Sequence, residues 1–137
     1  MAIEIIVADA HPFFVKGVCE NLAECEDCQV VGQAANFEDM VTLTKTLQPD
    51  ILLMGINLSN PFDSDALNFI KDEGISTEII VLSALDEPGM VMELVKAGIR
   101  GFFMKDETPD KLVEAIISVH NGQDWLSPSV TKIVTGS

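Results

Sequence analysis

Short apolar runs alternate with longer amphipathic segments along almost the whole chain, and this alternation limits the possible folds more than any other feature. The runs begin near Ile3, Gln29, Asp50, Glu78 and Gly101, and each interval holds one helix and two short loops. A strand–helix repeat of this kind, with right-handed crossovers, builds a parallel sheet with helices on both faces. Ile51-Leu52-Leu53-Met54 and Ile79-Ile80-Val81-Leu82 are apolar without interruption, as strands covered on both sides must be. Gln29-Val30-Val31-Gly32-Gln33 mixes polar and apolar residues, which suits an edge strand. The expectation is an α/β, doubly wound (βα)5 architecture with five parallel strands.

Helix boundaries carry local signals. Thr108-Pro109-Asp110 reads as an N-cap, a first-turn proline and an acidic residue at the positive helix end. Leu112, Val113, Ile116 and Ile117 supply one apolar face, and Gly122 closes the segment. Asp86-Glu87-Pro88 opens the preceding helix, whose Val91, Leu94 and Val95 face inward and which ends at Gly98. Asn36 and Ser64 are expected N-caps, and Phe14, Val18 and Leu22 form the face of the first helix.

Eight Lys and Arg against 22 Asp and Glu leave a net charge of −14 over 137 residues. Such a surface is a poor partner for DNA, RNA or an anionic membrane. The 47% of hydrophobic residues are enough for a core, and a chain of this length buries roughly 70% of its unfolded surface. The apolar runs are too short to span a bilayer, and no secretory signal is visible, since Glu4 interrupts the first run and Lys16 is the first cation. A cytoplasmic location is expected.

Cys19, Cys25 and Cys28 are an odd number, which argues against a disulfide framework. Cys25-Glu26-Asp27-Cys28 has C-x-x-C spacing, but it follows a helix and carries two carboxylates between the sulfurs, which disfavours thiolate. A zinc site lacks a second ligand pair. We read the three thiols as inert, with a thiol-based sensor as the alternative.

Ligands of open parallel sheets bind beyond the carboxyl ends of the strands. Asp9, Ala10 and His11 follow the first strand, Gly55 ends the third, Ser83 the fourth, and Lys105 follows the fifth. Together with Val7-Ala8-Asp9-Ala10-His11-Pro12, Pro49-Asp50-Ile51-Leu52-Leu53-Met54-Gly55, Val81-Leu82-Ser83-Ala84 and Gly98-Ile99-Arg100-Gly101-Phe102-Phe103-Met104-Lys105-Asp106, this set resembles the receiver domain of two-component response regulators of the LuxR/NarL type. The resemblance covers nearly the whole chain and implies the flavodoxin-like strand order 2-1-3-4-5.

The departures from that pattern bear directly on function. The resemblance implies an aspartate phosphoacceptor where this chain has Gly55, and a Mg²⁺-binding acid where it has Ala10. Glycine offers no nucleophilic oxygen, and Asp9 alone is a weak start for the octahedral oxygen shell of Mg²⁺. Catalytic residues and a metal site are therefore not expected, Mg²⁺ binding should be weak or absent, and Lys105 can pair with Asp9 instead. Asp63 and Asp65, in the loop around Pro61, are expected to serve the start of the third helix, with a displaced phosphoacceptor as the disfavoured alternative. Ser83 and Phe102 match the family's switch pair. With no phosphoryl group to follow, Ser83 should satisfy a local backbone group and Phe102 should pack at a surface seam. His11 is expected to be partly exposed. Met90, Met92, Met104 and Phe103 read mainly as core, with the fourth helix and fifth strand as the first place to look for self-association.

Residues 1–121 are thus expected to form a receiver-like domain, and 122–137 a linker and the start of a helix from Ser127-Pro128 onward. In such regulators a helix-turn-helix domain would follow. With Lys132 the sole Lys or Arg after Lys111, this chain would contact DNA only through such a separate domain. The expected role is a non-enzymatic regulatory module, a homodimer or other protein-interaction partner controlling a transcription regulator without aspartyl phosphate. A small-molecule-binding domain on the same scaffold is the alternative, although no Gly-rich loop follows the first strand to cradle a phosphate.

Overall fold

A computed structural model describes residues 2–56, 64–72 and 74–136, leaving aside the side chains of 64–66. The expectations placed on Pro61, Asp63, the Asp65 side chain and the Ser64 cap lie outside the described parts. The five apolar runs form β1 (Ile3–Ala8), β2 (Cys28–Ala34), β3 (Ile51–Gly55), β4 (Glu78–Ser83) and β5 (Gly101–Met104). Between and after them lie α1 (Pro12–Ala23), α2 (Phe37–Leu47), α3 (Ser64–Lys71), α4 (Pro88–Ala97) and α5 (Pro109–His120). All strand pairings are parallel.

The sheet has six strands rather than the expected five, in the order β2-β1-β3-β4-β5-β6. The sixth, β6 (Trp125–Leu126), pairs with Gly101 and Phe102 of β5 and is followed by α6 (Pro128–Thr135). β2 stands at one edge, as its mixed composition indicates.

Side chains alternate across the sheet and divide the core in two. Ile6, Ala8, Leu52, Met54, Val81 and Phe102 pack toward Met40, Phe69, Met90, Val91, Leu94 and Val130. Ile5, Val7, Leu53, Ile80, Leu82 and Phe103 pack toward Val18, Leu22, Leu112, Ile116 and Val119. Each such fully buried aliphatic or aromatic side chain contributes about 1.5–3 kcal/mol. This alternation corrects the expectation for Phe102. Its ring is wholly enclosed beneath α4 and α6, not seated at a surface seam. Gly101 lets β5 lie this close to β4, since a Cβ there would come within 2.8 Å of Ile80 Cγ1.

The caps show which sequence signals act locally. Asn36 accepts from the Asp39 N–H at 2.8 Å, as expected, and Glu87 accepts from the N–H groups of Gly89 and Met90. Gly98 ends α4 at φ 109°, in the left-handed region. Thr108 stands at the α5 N-cap position without a side-chain cap bond. Its hydroxyl instead bonds the Asp110 carboxylate, which this contact above all holds below the usual range.

The segment expected to be a linker is built into the domain. The Trp125 N–H donates to Arg100 O and the Ser127 N–H to Phe102 O. Arg100 grips Asp124 and Gly122 O, and Trp125 Nε1 donates to Glu114 at 2.9 Å. Ser127, read as an N-cap, makes no cap bond with its side chain. Its Oγ accepts from the buried Met104 N–H at 2.9 Å. Val130 is fully buried, and α6 packs against α4.

Candidate functional site

The carboxyl ends of β1, β4 and β5 bring Asp9, Ser83 and Lys105 to one end of the sheet, where Gly55 closes β3. The Asp9 side chain is fully buried, and its N–H is tied to Ala34 O of β2. Asp9 Oδ2 meets Lys105 Nζ at 2.7 Å, while Oδ1 accepts from the His11 N–H at 2.9 Å. A carboxylate removed from water is tolerable only with an opposite charge and hydrogen bonds at hand, and here it has both.

Lys105 is held from several sides. Its side chain is 14% exposed, and Nζ also stands 3.2 Å from His11 Nδ1 and 4.5 Å from the centre of the Phe14 ring. A neutral histidine with its proton on Nε2 lets Nδ1 accept from the ammonium. The Phe14 face adds a cation–π contact. The His11 side chain is 65% exposed, as expected. Phe14 joins the site unannounced, since its helical spacing marks it only as a core residue of α1.

Ser83 is nearly fully buried and satisfies a local backbone, as expected. Its Oγ donates to Leu85 O at 2.6 Å and accepts from the Leu85 N–H at 2.9 Å. The neighbouring Lys105 N–H donates to Ser83 O at 2.8 Å, locking β5 to β4 at the site. Phe102 does not join the constellation, because its side chain points into the core layer beneath α4 and α6.

The donor set does not suit Mg²⁺. That ion demands about six oxygens in octahedral array, whereas Ala10 and Gly55 have no side-chain oxygen and Asp9 is engaged at both of its own. Among the described residues, no group of three or more His, Cys, Asp or Glu side chains could hold a metal.

Two concavities adjoin the site. One, of about 230 Å³, lies between α1 and α5 and is walled by Phe13, Phe14, Val18, Phe103 and Leu112, with Lys105 at its edge. Phe13 on its rim is 91% exposed. The other, of about 570 Å³, lies between α1 and the β2–α2 loop beside Asp9, Lys16, Glu20 and Asp39. Toward α4 the arrangement is the opposite. Met90, Met104 and Phe103 are buried, Met92 is half-buried, and α6 packs against the helix. No described helix is long and apolar enough to cross a membrane.

Comparison with known proteins agrees with this geometry. The nitrate/nitrite response regulator NarL of Escherichia coli K12 is 29% identical over 133 residues, covering 97% of this chain and 62% of that protein. The chain thus spans about three fifths of the length of this curated relative. The signal receiver domain of NarL from Mycobacterium tuberculosis superposes with a TM-score of 0.82 at 27% identity, over 89% of this chain and 98% of that one. As a likeness of fold alone, promoter-bound RcsB of Salmonella enterica serovar Typhimurium gives a TM-score of 0.86 at 22% identity, over 98% of this chain and 67% of that one. Another RcsB structure holds two dimers on two parallel DNAs. Residues 5–117 match the response regulator receiver domain, and the chain belongs to that family.

Proposed function

We propose that this chain is the regulatory receiver module of a LuxR/NarL-type transcription regulator and works without aspartyl phosphorylation. The observation that carries the proposal is the 2.7 Å Asp9–Lys105 pair beside Ala10 and Gly55. Acceptance of a phosphoryl group needs an oxygen nucleophile and a cation to neutralise the developing charge. Here glycine stands at the nucleophile position, and the lysine that would meet a phosphoryl oxygen holds the remaining carboxylate. Mg²⁺ binding is correspondingly weak or absent, and the module is not an enzyme.

Phosphodonor labelling tests this directly. Acetyl phosphate with Mg²⁺ should leave the wild-type chain and Gly55→Asp unlabelled, because Ala10 still supplies no metal ligand. The double variant Ala10→Asp/Gly55→Asp should acquire an acid-labile phosphoryl group. Labelling of the wild type, or efficient Mg²⁺-dependent labelling of Gly55→Asp, contradicts the proposal.

Regulation then proceeds through protein contacts, by shifting populations of surface arrangements. We place self-association on α1 and α5 rather than on α4 and β5. The α6 helix already packs against α4, whereas Phe13 stands exposed at the rim of the α1–α5 groove. The groove is small for an organic ligand, whose sites usually measure about 300–1,000 Å³. At this groove that favours a second copy of the chain; the larger concavity beside Asp9, about 570 Å³, is where the small-molecule alternative would apply. DNA is contacted through a separate domain, in the cytoplasm. Sedimentation should find a wild-type dimer and a monomeric Phe13→Asp variant with unchanged circular dichroism. A monomeric wild type, or a dimer insensitive to Phe13→Asp, removes α1–α5 from the account.

A further inference from the structure

We propose that Cys25 and Cys28 are a modification site, a dithiol that closes reversibly to an intramolecular disulfide. The α1 helix ends with the Cys25 N–H donating to Leu22 O, and the chain then turns, with the Cys28 N–H donating to Cys25 O at 3.2 Å. A turn closed by this bond keeps its end Cα atoms within about 7 Å, and a disulfide spans Cα atoms about 4.4–6.8 Å apart. The turn therefore brings the two thiols to the same end of α1 and the start of β2. Both residues are partly exposed, so a small oxidant can reach them, and neither is tied in a disulfide. Cys28 also begins β2 opposite Ile3, whose N–H donates to Asp27 O at 2.7 Å. One half of the pair is thus fixed by the sheet and the other by the end of α1.

The surroundings that make thiolate unfavourable do not oppose this closure; they shape it. Burial, then the Cys25 hydrogen bond and the charges of Cys25 and Asp27, push the Cys28 thiol up to about 12. Strongly oxidising dithiols owe that property to a stabilised thiolate in their reduced form. Here the Cys28 thiolate is disfavoured, so the second, ring-closing attack is the slow step. The reaction balances against a low-molecular-weight disulfide such as oxidised glutathione. The Cys25 sulfur, as thiolate, attacks one sulfur of that disulfide, whose S–S bond breaks and releases one thiol. Cys28 then gives up its proton and attacks the Cys25 sulfur, breaking the mixed disulfide and releasing the second thiol. The two protein thiols are oxidised, and the glutathione disulfide is reduced to two thiols.

Equilibration of the full chain in graded mixtures of reduced and oxidised glutathione, with acid quenching, alkylation and intact-mass measurement, tests the site. The wild type and Cys19→Ser should both lose the Cys25 and Cys28 alkylation sites together. Cys25→Ser and Cys28→Ser should stop at a mixed disulfide or remain reduced. Full alkylation of wild-type Cys25 and Cys28 in excess oxidised glutathione overturns the proposal, as does a disulfide that maps to Cys19 or joins two chains. Circular dichroism of each serine variant separates a missing disulfide from a misfolded chain.

Discussion

The carboxyl end of β5 and its flank differ in what they hold. Lys105, just beyond its carboxyl end, holds the buried Asp9 carboxylate at 2.7 Å, with Ala10 and Gly55 among the neighbouring strand-end residues. Along its flank the same strand is gripped by β6, Ser127 and α6 through backbone bonds, a buried hydroxyl and a fully buried valine. Chemistry and mechanical coupling are therefore separable in this fold. The tail is fully built, and its packing rests on apolar burial and backbone pairing, which need no phosphate.

The largest test of this separation is Phe102→Ala. A wholly buried ring beneath α4 and α6 should cost about 3–5 kcal/mol in denaturant unfolding. A loss below about 1 kcal/mol would return Phe102 to a surface role. Next comes the site itself. Lys105→Met leaves the buried Asp9 carboxylate without its cation and should cost up to about 3 kcal/mol. Asp9→Asn/Lys105→Met should recover much of that loss, because both charges are gone. A double-mutant cycle with no coupling would mean that the pair does not hold the site together.

Ser127→Ala probes the tail. The Met104 N–H loses its acceptor in a buried setting, which should cost about 1–2 kcal/mol, and the Trp125 fluorescence should change as β6 loosens. The smallest expected effect is at the far edge of the sheet. The Cys28 thiol is raised in the folded chain, so the folded state holds its proton more tightly than the unfolded one. Stability should fall as pH rises from about 9 toward 12, the interval between the ordinary and the raised value. Cys28→Ser should flatten that slope under reducing conditions, measured as the urea midpoint against pH.

Much of the fold is legible in the sequence because its signals are local and periodic. The unbroken apolar runs of β3 and β4, the mixed edge strand β2 and the Asn36 cap all follow from neighbours in the chain. β6 is two residues long, too short for any periodicity, and its existence depends on Gly101 and Phe102 more than 20 residues earlier. Ser127 has the residue type and position of an N-cap, yet its hydroxyl serves a backbone group of β5, a choice set by tertiary contact. Phe102 and Phe103 are adjacent and alike in sequence. Only the pleat sends one under α4 and the other toward α1 and α5.

The site divides in the same way. Asp9, Ser83 and Lys105 are identifiable as strand-end residues, and the Asp9–Lys105 pairing follows from their charges. The roles of Phe14 and His11 as neighbours of the ammonium depend on the path of α1 across the site, which residue spacing does not encode. The surroundings of α4 follow the same rule. The packing of α6 against α4 depends on how the tail folds back, and Met-rich composition says nothing of that.

The central claim is that this receiver does not respond to a phosphoryl group, and the most direct test is heteronuclear NMR of the wild-type chain titrated with Mg²⁺ and beryllofluoride. The account predicts no saturable shifts at the amides of Asp9, Ser83, Phe102 or Lys105. Saturable, Mg²⁺-dependent shifts at these four positions would contradict it.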